Sequence, residues 1–276
     1  MVAFPATRNR RSRTMQVLAL LILALLTLVV HHRVRRHRQP KTVAVIVEGR
    51  NFPNVTPLIL HFAGFLGPAW PIHIFHSESN AALFTSSGAI AGHVRRGGIV
   101  LHPLPTKTLN FTTHVEVSRF LATDVLWKSL LPATHALMFQ TDSMLCSASP
   151  HRPEDFLQYS FIGAPIAARH GSGFNGGISI RHIPSLLRVI DTYEWTTADP
   201  EDQWFSNNIP RLENPPAPPI PTMQQALEFG VESVWADRPM AFHQPKRWNE
   251  NRMPQIMDYC PELALAEDGI LWKIDP

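Results

Sequence analysis

The run from Thr42 to Val47, TVAVIV, constrains this chain more than any other segment, because it is apolar or β-branched throughout and shows no polar alternation. A strand with one wet face alternates. An unbroken run must be covered on both faces, as strands inside a parallel sheet are. The run stops at Glu48-Gly49-Arg50, so polar groups stand at the carboxyl end of a first strand. Pro57 to Phe65 then reads as a helix and Pro71 to Phe75 as a second strand. This β-α-β opening predicts an α/β fold, a mostly parallel doubly wound sheet of the Rossmann-related kind.

The rest of the chain continues the pattern. Gly98 to Leu101 is a short strand. Thr113 to Glu116 has capping-box form and opens a helix with Val117, Phe120, Leu121 and Val125 on one face, ended by Pro132. Ala136 to Phe139 is a buried strand that delivers Gln140-Thr141-Asp142-Ser143 at its tip. Phe161 to Pro165 and Gly177 to Ile180 read as strands flanking a glycine-rich loop. Helices are expected from Pro184 to Ile190 and, capped and closed by Gly230, from Thr222 to Phe229. Asn214 to Pro221, with five prolines, reads as an extended surface loop. No internal repeat and no second domain is evident.

Ahead of this domain, Met15 to Val30 is an uncharged apolar run with arginines on both sides. At ~1.5 Å per residue it reaches ~24 Å, short of a ~30 Å hydrocarbon core but within reach of a thin membrane with snorkelling flanks. A cleaved signal peptide is the alternative. No small-residue cleavage site follows, and the basic run after it makes a poor mature start. A mitochondrial presequence is a third reading, set against by the uniformly apolar core. The expected layout is a cytosolic basic tail (1–14), a transmembrane anchor (15–30), a basic stem (31–41), an α/β domain (42–250) and a C-terminal tail (251–276). That is a single-pass type II arrangement with the domain in the lumen of the endoplasmic reticulum or Golgi. Sequons at Asn54 and Asn110 are compatible with lumenal glycosylation.

The net charge of +3 is carried by this leader. Nine of the 25 basic residues lie between Arg8 and Lys41, leaving 16 against all 22 acidic residues, a balance of −6 for the domain. A nucleic-acid-binding surface would need a basic excess, so that class is set aside. Cys146 and Cys260 either pair in an oxidising lumen or remain two buried thiols.

Several polar groups fall where chemistry could sit. Asp142 lies just past the carboxyl end of a strand, where ligands bind in open α/β sheets, and a carboxylate there can hold a divalent cation against a diphosphate. The plain alternative is an Asx-turn residue. The Gly171 to Gly177 loop would let backbone approach a ligand, with Asn175 reading a sugar hydroxyl, or is simply a flexible turn. Asp199-Pro200-Glu201-Asp202 reads as a helix start, with Asp199 as N-cap and Pro200 in the first turn; Glu201 or Asp202 is also a candidate general base. His243 is a candidate metal ligand among 14 histidines. No zinc-hydrolase, serine-hydrolase or thioredoxin motif occurs.

Taken together, Val45-Ile46-Val47-Glu48-Gly49-Arg50, Phe139-Gln140-Thr141-Asp142-Ser143-Met144-Leu145-Cys146, Phe161-Ile162-Gly163-Ala164-Pro165, Asn175-Gly176-Gly177-Ile178-Ser179-Ile180-Arg181, Glu201-Asp202-Gln203-Trp204-Phe205 and His243 resemble a fungal family known as domain of unknown function 5672. The resemblance runs from about Thr42 to Trp248 and implies a type II membrane protein with a GT-A-type glycosyltransferase fold. By that resemblance Asp142 is the second carboxylate of a D-x-D motif, His243 completes the shell of Mn²⁺ or Mg²⁺, and Glu201 or Asp202 is the base. Glu48, Arg50, Gln140, Asp142, Asn175, Gly176 and Gly177 line the nucleotide-sugar site. Gln140 departs from the pattern: it stands where the first Asp would be, and a neutral amide binds such cations less well. Two functions are expected from this. One is transfer of a sugar from a nucleotide-sugar donor to a glycan or protein acceptor; the other is a GT-A-shaped protein that binds sugar or a partner without turnover.

Overall fold

The computed structural model describes residues 41–105, 111 and 113–267, together with Met15, Leu18, Leu20 and Leu21, which are helical. The rest of the expected anchor at 15–30, and its basic flanks apart from Lys41, lie outside the described residues. Among the described residues no helix is long and apolar enough to cross a membrane. The chain divides into two compact units, residues 1–39 and 40–276, and the second holds the sheets and every candidate site residue.

Its centre is a six-stranded sheet. β1 (Thr42–Glu48) pairs in parallel with β2 (Ile72–His76) on one side and β4 (His135–Phe139) on the other, and β2 pairs in parallel with β3 (Ile99–Pro103). β7 (Phe174–His182) runs antiparallel to β4 and to the outermost strand, β6 (Phe161–Pro165), giving the order β3-β2-β1-β4-β7-β6. The fold is thus mixed α/β with a mostly parallel central sheet, and the unbroken apolar run of β1 is explained by its place between two strands: Val43, Ala44, Val45 and Ile46 are buried completely. Burying each of the larger ones contributes about 1.5–3 kcal/mol.

The connections between strands decide where a ligand site can lie. α1 (Val55–Leu66) carries the chain from β1 to β2, and α2 (Ala81–Thr85) with α3 (Gly88–Arg95) carries it on to β3, always in the same direction. α4 (His114–Leu121) and α5 (Asp124–Ser129) then return it across the sheet to β4. Right-handed crossovers in opposite directions place the two helix groups on opposite faces. The reversal falls between β1 and β4, so their carboxyl tips open a crevice, the place where ligands bind in doubly wound sheets. Stacked rings of Phe62 on α1 and Phe139 on β4, centroids 4.0 Å apart, fix that helix beside the crevice.

Several expectations shift. The helix opened by Thr113, whose hydroxyl accepts from Glu116 N at 3.3 Å, does not run to Pro132. It ends at Leu121, whose carbonyl accepts the Trp127 indole N–H at 2.8 Å, and Thr123 turns extended before α5 begins. Val125 consequently points outward, 59% exposed. The glycine-rich segment is only partly loop, because β7 already starts at Phe174. α6 (Ile183–Thr192) comes directly after it. α7 (Glu201–Asn208) has Pro200, not Asp199, at its N-cap, since Pro200 is extended (φ −56°, ψ 144°). As expected, α8 (Met223–Phe229) opens on a capping box of Thr222 and Gln225 and closes at Gly230, whose N–H donates to the Ala226 carbonyl and whose extended backbone begins β8 (Gly230–Val231).

A small second sheet joins β5 (Ser143–Leu145), β9 (Ala241–His243) and β8. Beyond α9 (Pro245–Asn249), the segment expected as a tail from residue 251 carries α10 (Met253–Tyr259) and packs into the core, with Ile256, Cys260 and Leu263 buried. Cys146 and Cys260 are disulfide-bonded, tying this segment to the end of β5.

Candidate functional site

The sheet register explains how residues far apart in sequence meet at the crevice. Phe139 ends β4 and pairs with Ile178, so Asn175, Gly176 and Gly177 overhang the same tip. After Phe139 the chain turns tightly: Ser143 Oγ donates to the Gln140 carbonyl at 2.7 Å and accepts from Gln140 N at 3.1 Å. β5 then pairs with β9 so that Ser143 stands opposite His243. This three-residue ladder brings His243 to Asp142 across a hundred residues of chain.

His243 is buried and approached on every side. Its Nδ1 lies 3.1 Å from Glu232 Oε1, and its Nε2 lies 3.2 Å from Gln140 Oε1 and 3.3 Å from Asp142 Oδ1. The contact with Asp142 is close enough for charge attraction, but its alignment leaves Oδ1 buried without a hydrogen bond. Asp142 Oδ2 accepts from Gln244 Nε2 at 2.8 Å, and Gln244 sits in the left-handed region (φ 46°, ψ 47°) to make that contact. A non-glycine residue held there stores strain that surrounding structure must offset. Burial alone would lower the imidazole pKa of His243; Asp142 and Glu232 overcome this and raise it well above the ordinary value. Burial likewise works against the Asp142 carboxylate, but the charge of His243 and the bond from Gln244 hold its pKa low.

Gly177 lies flat against the His243 ring: a Cβ there would fall inside the imidazole. A Cβ on Gly176 would strike Arg181 Nη2 and Asp202, and one on Gly163 would strike the Asn175 carbonyl. The glycines are therefore required by close approach and not by loop flexibility. Asn175 Oδ1 accepts from Gly177 N at 2.7 Å, which leaves its amide group as the part available to a ligand.

Asp202 closes the other side. Its two oxygens accept from Gly176 N at 2.6 Å and Gln203 N at 2.7 Å, joining the start of α7 to the glycine strand. Burial first, and then the charge of Glu201, push its pKa above the usual carboxylate range. Glu201 is committed elsewhere, to an ion pair at 2.9 Å with Arg181, which is completely buried between the rings of Phe161 and Trp127. Asp142, His243, Gly177, Gly176 and Asp202 thus form one continuous chain of contacts. Glu48 and Arg50 stand beside it at the tip of β1, with Arg50 Nη2 donating to Glu48 Oε2 at 2.9 Å and Thr141 Oγ1 at 2.8 Å.

The sequence reading missed Glu232, Arg181, Thr141, Gln244 and Glu267. Thr141 and Arg181 carried a signal, because both lie within the quoted motifs at the tip of β4 and on β7; the other three become visible only when β5 and β9 pair and the C-terminal segment folds back. Of the two sequons, Asn54 is half-buried just ahead of α1 and Thr56 donates to the Leu83 carbonyl at 3.0 Å, while Asn110 lies outside the described residues.

A cation is tested by these atoms. His243 Nε2 faces Gln140 Oε1 and an unbonded Asp142 Oδ1 at 3.2 and 3.3 Å. Neighbouring ligands around an ion held at about 2.0–2.2 Å stand roughly 3 Å apart. The donors fit a hard divalent ion that takes the place of the His243 Nε2 proton and draws its remaining ligands from phosphate and water, although among the described residues no group of three His, Cys, Asp or Glu converges.

Among solved structures, the glycosyltransferase GlyE of Streptococcus pneumoniae TIGR4 shares 12% identity at a TM-score of 0.49, covering 85% of this chain and 62% of its own. The galactosyltransferase LgtC, solved with donor and acceptor sugar analogues, shares 11% at 0.36, over 60% of this chain and 70% of its own. The mannosyltransferase PcManGT of Pyrobaculum calidifontis, solved with GDP-Man and Mn²⁺, shares 10% at 0.40, over 68% and 56%. The chain thus spans about three-fifths of the length of GlyE. No curated protein matches it. Residues 99–243, more than half of the chain, match the family described as "Protein of unknown function (DUF5672)", and the chain belongs to that family.

Proposed function

We propose that this protein transfers a sugar from a nucleotide-sugar donor to a glycan or protein acceptor, with a Mn²⁺ or Mg²⁺ ion at Asp142, His243 and Gln140. The reading is carried by one observation: a buried carboxylate oxygen without a hydrogen bond, facing an imidazole and an amide oxygen at the crevice of a doubly wound sheet. When bound, the cation neutralises charge that builds on the departing diphosphate. Glu232 fixes the His243 ring through Nδ1, directing Nε2 at the site, as carboxylates behind metal-bound histidines do. Gly176 and Gly177 let Asp202 and His243 pack directly against the strand, and Asn175 offers its amide to a hydroxyl. Asp202, with its raised pKa and fixed orientation, accepts the acceptor's proton, and Glu201 acts through Arg181 to hold that end of the site. The lumenal, type II placement with the anchor at 15–30 belongs to the same proposal.

Gln140 favours a second reading, a sugar-binding protein without turnover, because an amide replaces a carboxylate beside the cation. Calorimetry of the full chain with a panel of nucleoside diphosphates, with and without Mn²⁺, separates the two. The transferase reading expects Mn²⁺ to tighten binding at least tenfold, about 1.4 kcal/mol, and Asp142→Ala to abolish the gain. Absence of nucleotide binding both with and without Mn²⁺ would sink it and leave the second.

A further inference from the structure

Beside the proposed cation site, four polar side chains close a ring at the tips of β1 and β4. Glu48 Oε1 accepts from Arg50 N at 2.7 Å and Nε at 3.1 Å, and Glu48 Oε2 accepts from Arg50 Nη2 at 2.9 Å. The same Nη2 reaches Thr141 Oγ1 at 2.8 Å and Glu267 Oε2 at 3.2 Å. Thr141 Oγ1 donates to Glu267 Oε2 at 2.9 Å, and Glu267 N donates to the Thr141 carbonyl at 2.8 Å. Glu267 arrives from more than a hundred residues away, on the segment that the Cys146–Cys260 disulfide fastens to the domain.

The charge and position of this ring restrict what it can bind. Two carboxylates face one guanidinium, so the ring carries an excess negative charge and disfavours phosphate. Carboxylates accept hydroxyl protons, and the guanidinium donates to hydroxyl oxygens, a combination suited to a neutral vicinal diol. Arg50 and Glu267 are 49% and 31% exposed at their side chains, so a ligand can reach them. The ring also adjoins Asp142 through Thr141, placing a diol reader next to a diphosphate reader in the order in which a nucleoside diphosphate carries those groups. An acidic residue in such a crevice commonly takes the ribose 2′-hydroxyl.

We infer that Glu267, with Glu48 and Arg50, recognises the ribose diol of the donor nucleotide, and that the C-terminal segment is part of the donor site. This rests on the proposed transferase function. The test titrates the full-length protein with UDP and GDP, and with their 2′-deoxy counterparts, in the presence of Mn²⁺. Wild type is expected to prefer the ribonucleotide by about tenfold or more, as loss of a hydrogen bond to a charged group does. Glu267→Gln is expected to bring the preference below about threefold while 2′-deoxy binding is unchanged. Glu267 is partly exposed, so its variant should fold; matching urea midpoints check that. Equal affinity of ribo and deoxy forms in wild type overturns the inference, as does a preference that survives in Glu267→Gln or a variant that weakens both forms alike. If no diphosphate binds wild type at all, the transferase reading has failed and this inference falls with it.

Discussion

At the scale of single residues, the site depends on what is missing as much as on what is present. Gly177 carries no side chain because the His243 ring occupies that space, and the ring cannot retreat while Glu232 holds Nδ1 and β7 is paired on both edges. Gly177→Ala should therefore cost about 1–3 kcal/mol, seen as a lower urea midpoint, and should remove the Mn²⁺-dependent gain in nucleotide affinity. Gly64→Ala is the matched control. That glycine is exposed on α1 with nothing within 4 Å of a Cβ, so alanine should stabilise by roughly 0.5–1 kcal/mol. If both substitutions behave alike, the close approach of strand and imidazole has no energetic meaning. The sequence already placed Gly64 in a helix, but for Gly177, at the edge of a glycine cluster, nothing local shows that an imidazole lies against it.

At the scale of elements, strand pairing creates contacts that no single element predicts. β4 and β7 place His135 directly opposite His182, and β2 and β3 bring His73 Nδ1 within 2.9 Å of His102 Nε2. Burial, and then the neighbouring imidazole, lowers the pKa of His73 and of His135 to about 4. The folded value thus lies below the unfolded value of 6.5, so the neutral pairs contribute stability that is present above that pH and is lost as pH falls toward 4. Urea midpoints should drop between about pH 7 and 5, and His135→Gln with His182→Gln should flatten that drop. An unchanged slope in the double variant would exclude the pair as a source of the pH dependence. The strands themselves were legible: apolar runs located β1, β2, β4 and β6, and the capping box located α8. The break between α4 and α5 was not, because it is made by the Trp127 indole reaching back to Leu121, a contact between side chain and backbone that periodicity does not register.

At the scale of the whole molecule, the C-terminal segment decides how much of the domain is site. Residues past 250 contain no long apolar run and read as a tail, yet α10 and the turn after it bury Met253, Ile256 and Leu263 and carry Glu267 to the strand tips. The Cys146–Cys260 bond closes a loop 114 residues long. Replacing both cysteines by serine should lower the unfolding free energy by about 2–5 kcal/mol in denaturant titrations. It should also speed amide exchange at Leu263 and Ala266 more than in β1. Uniform exchange in both places would mean that the segment is held by packing alone.

What the sequence determined by itself was local: which runs are buried on both faces, where strands end in polar groups, and that Asp142 stands at such an end. Those properties depend on the hydrophobicity and backbone preferences of neighbouring residues, and they are complete within a dozen positions. Tertiary structure alone decided that β5 pairs with β9, that Glu201 is spent on Arg181 while Asp202 is not, and that Glu267 reaches Arg50. Each of those outcomes rests on contacts between residues distant in the chain, whose free energy exists only once the sheet has fixed its register.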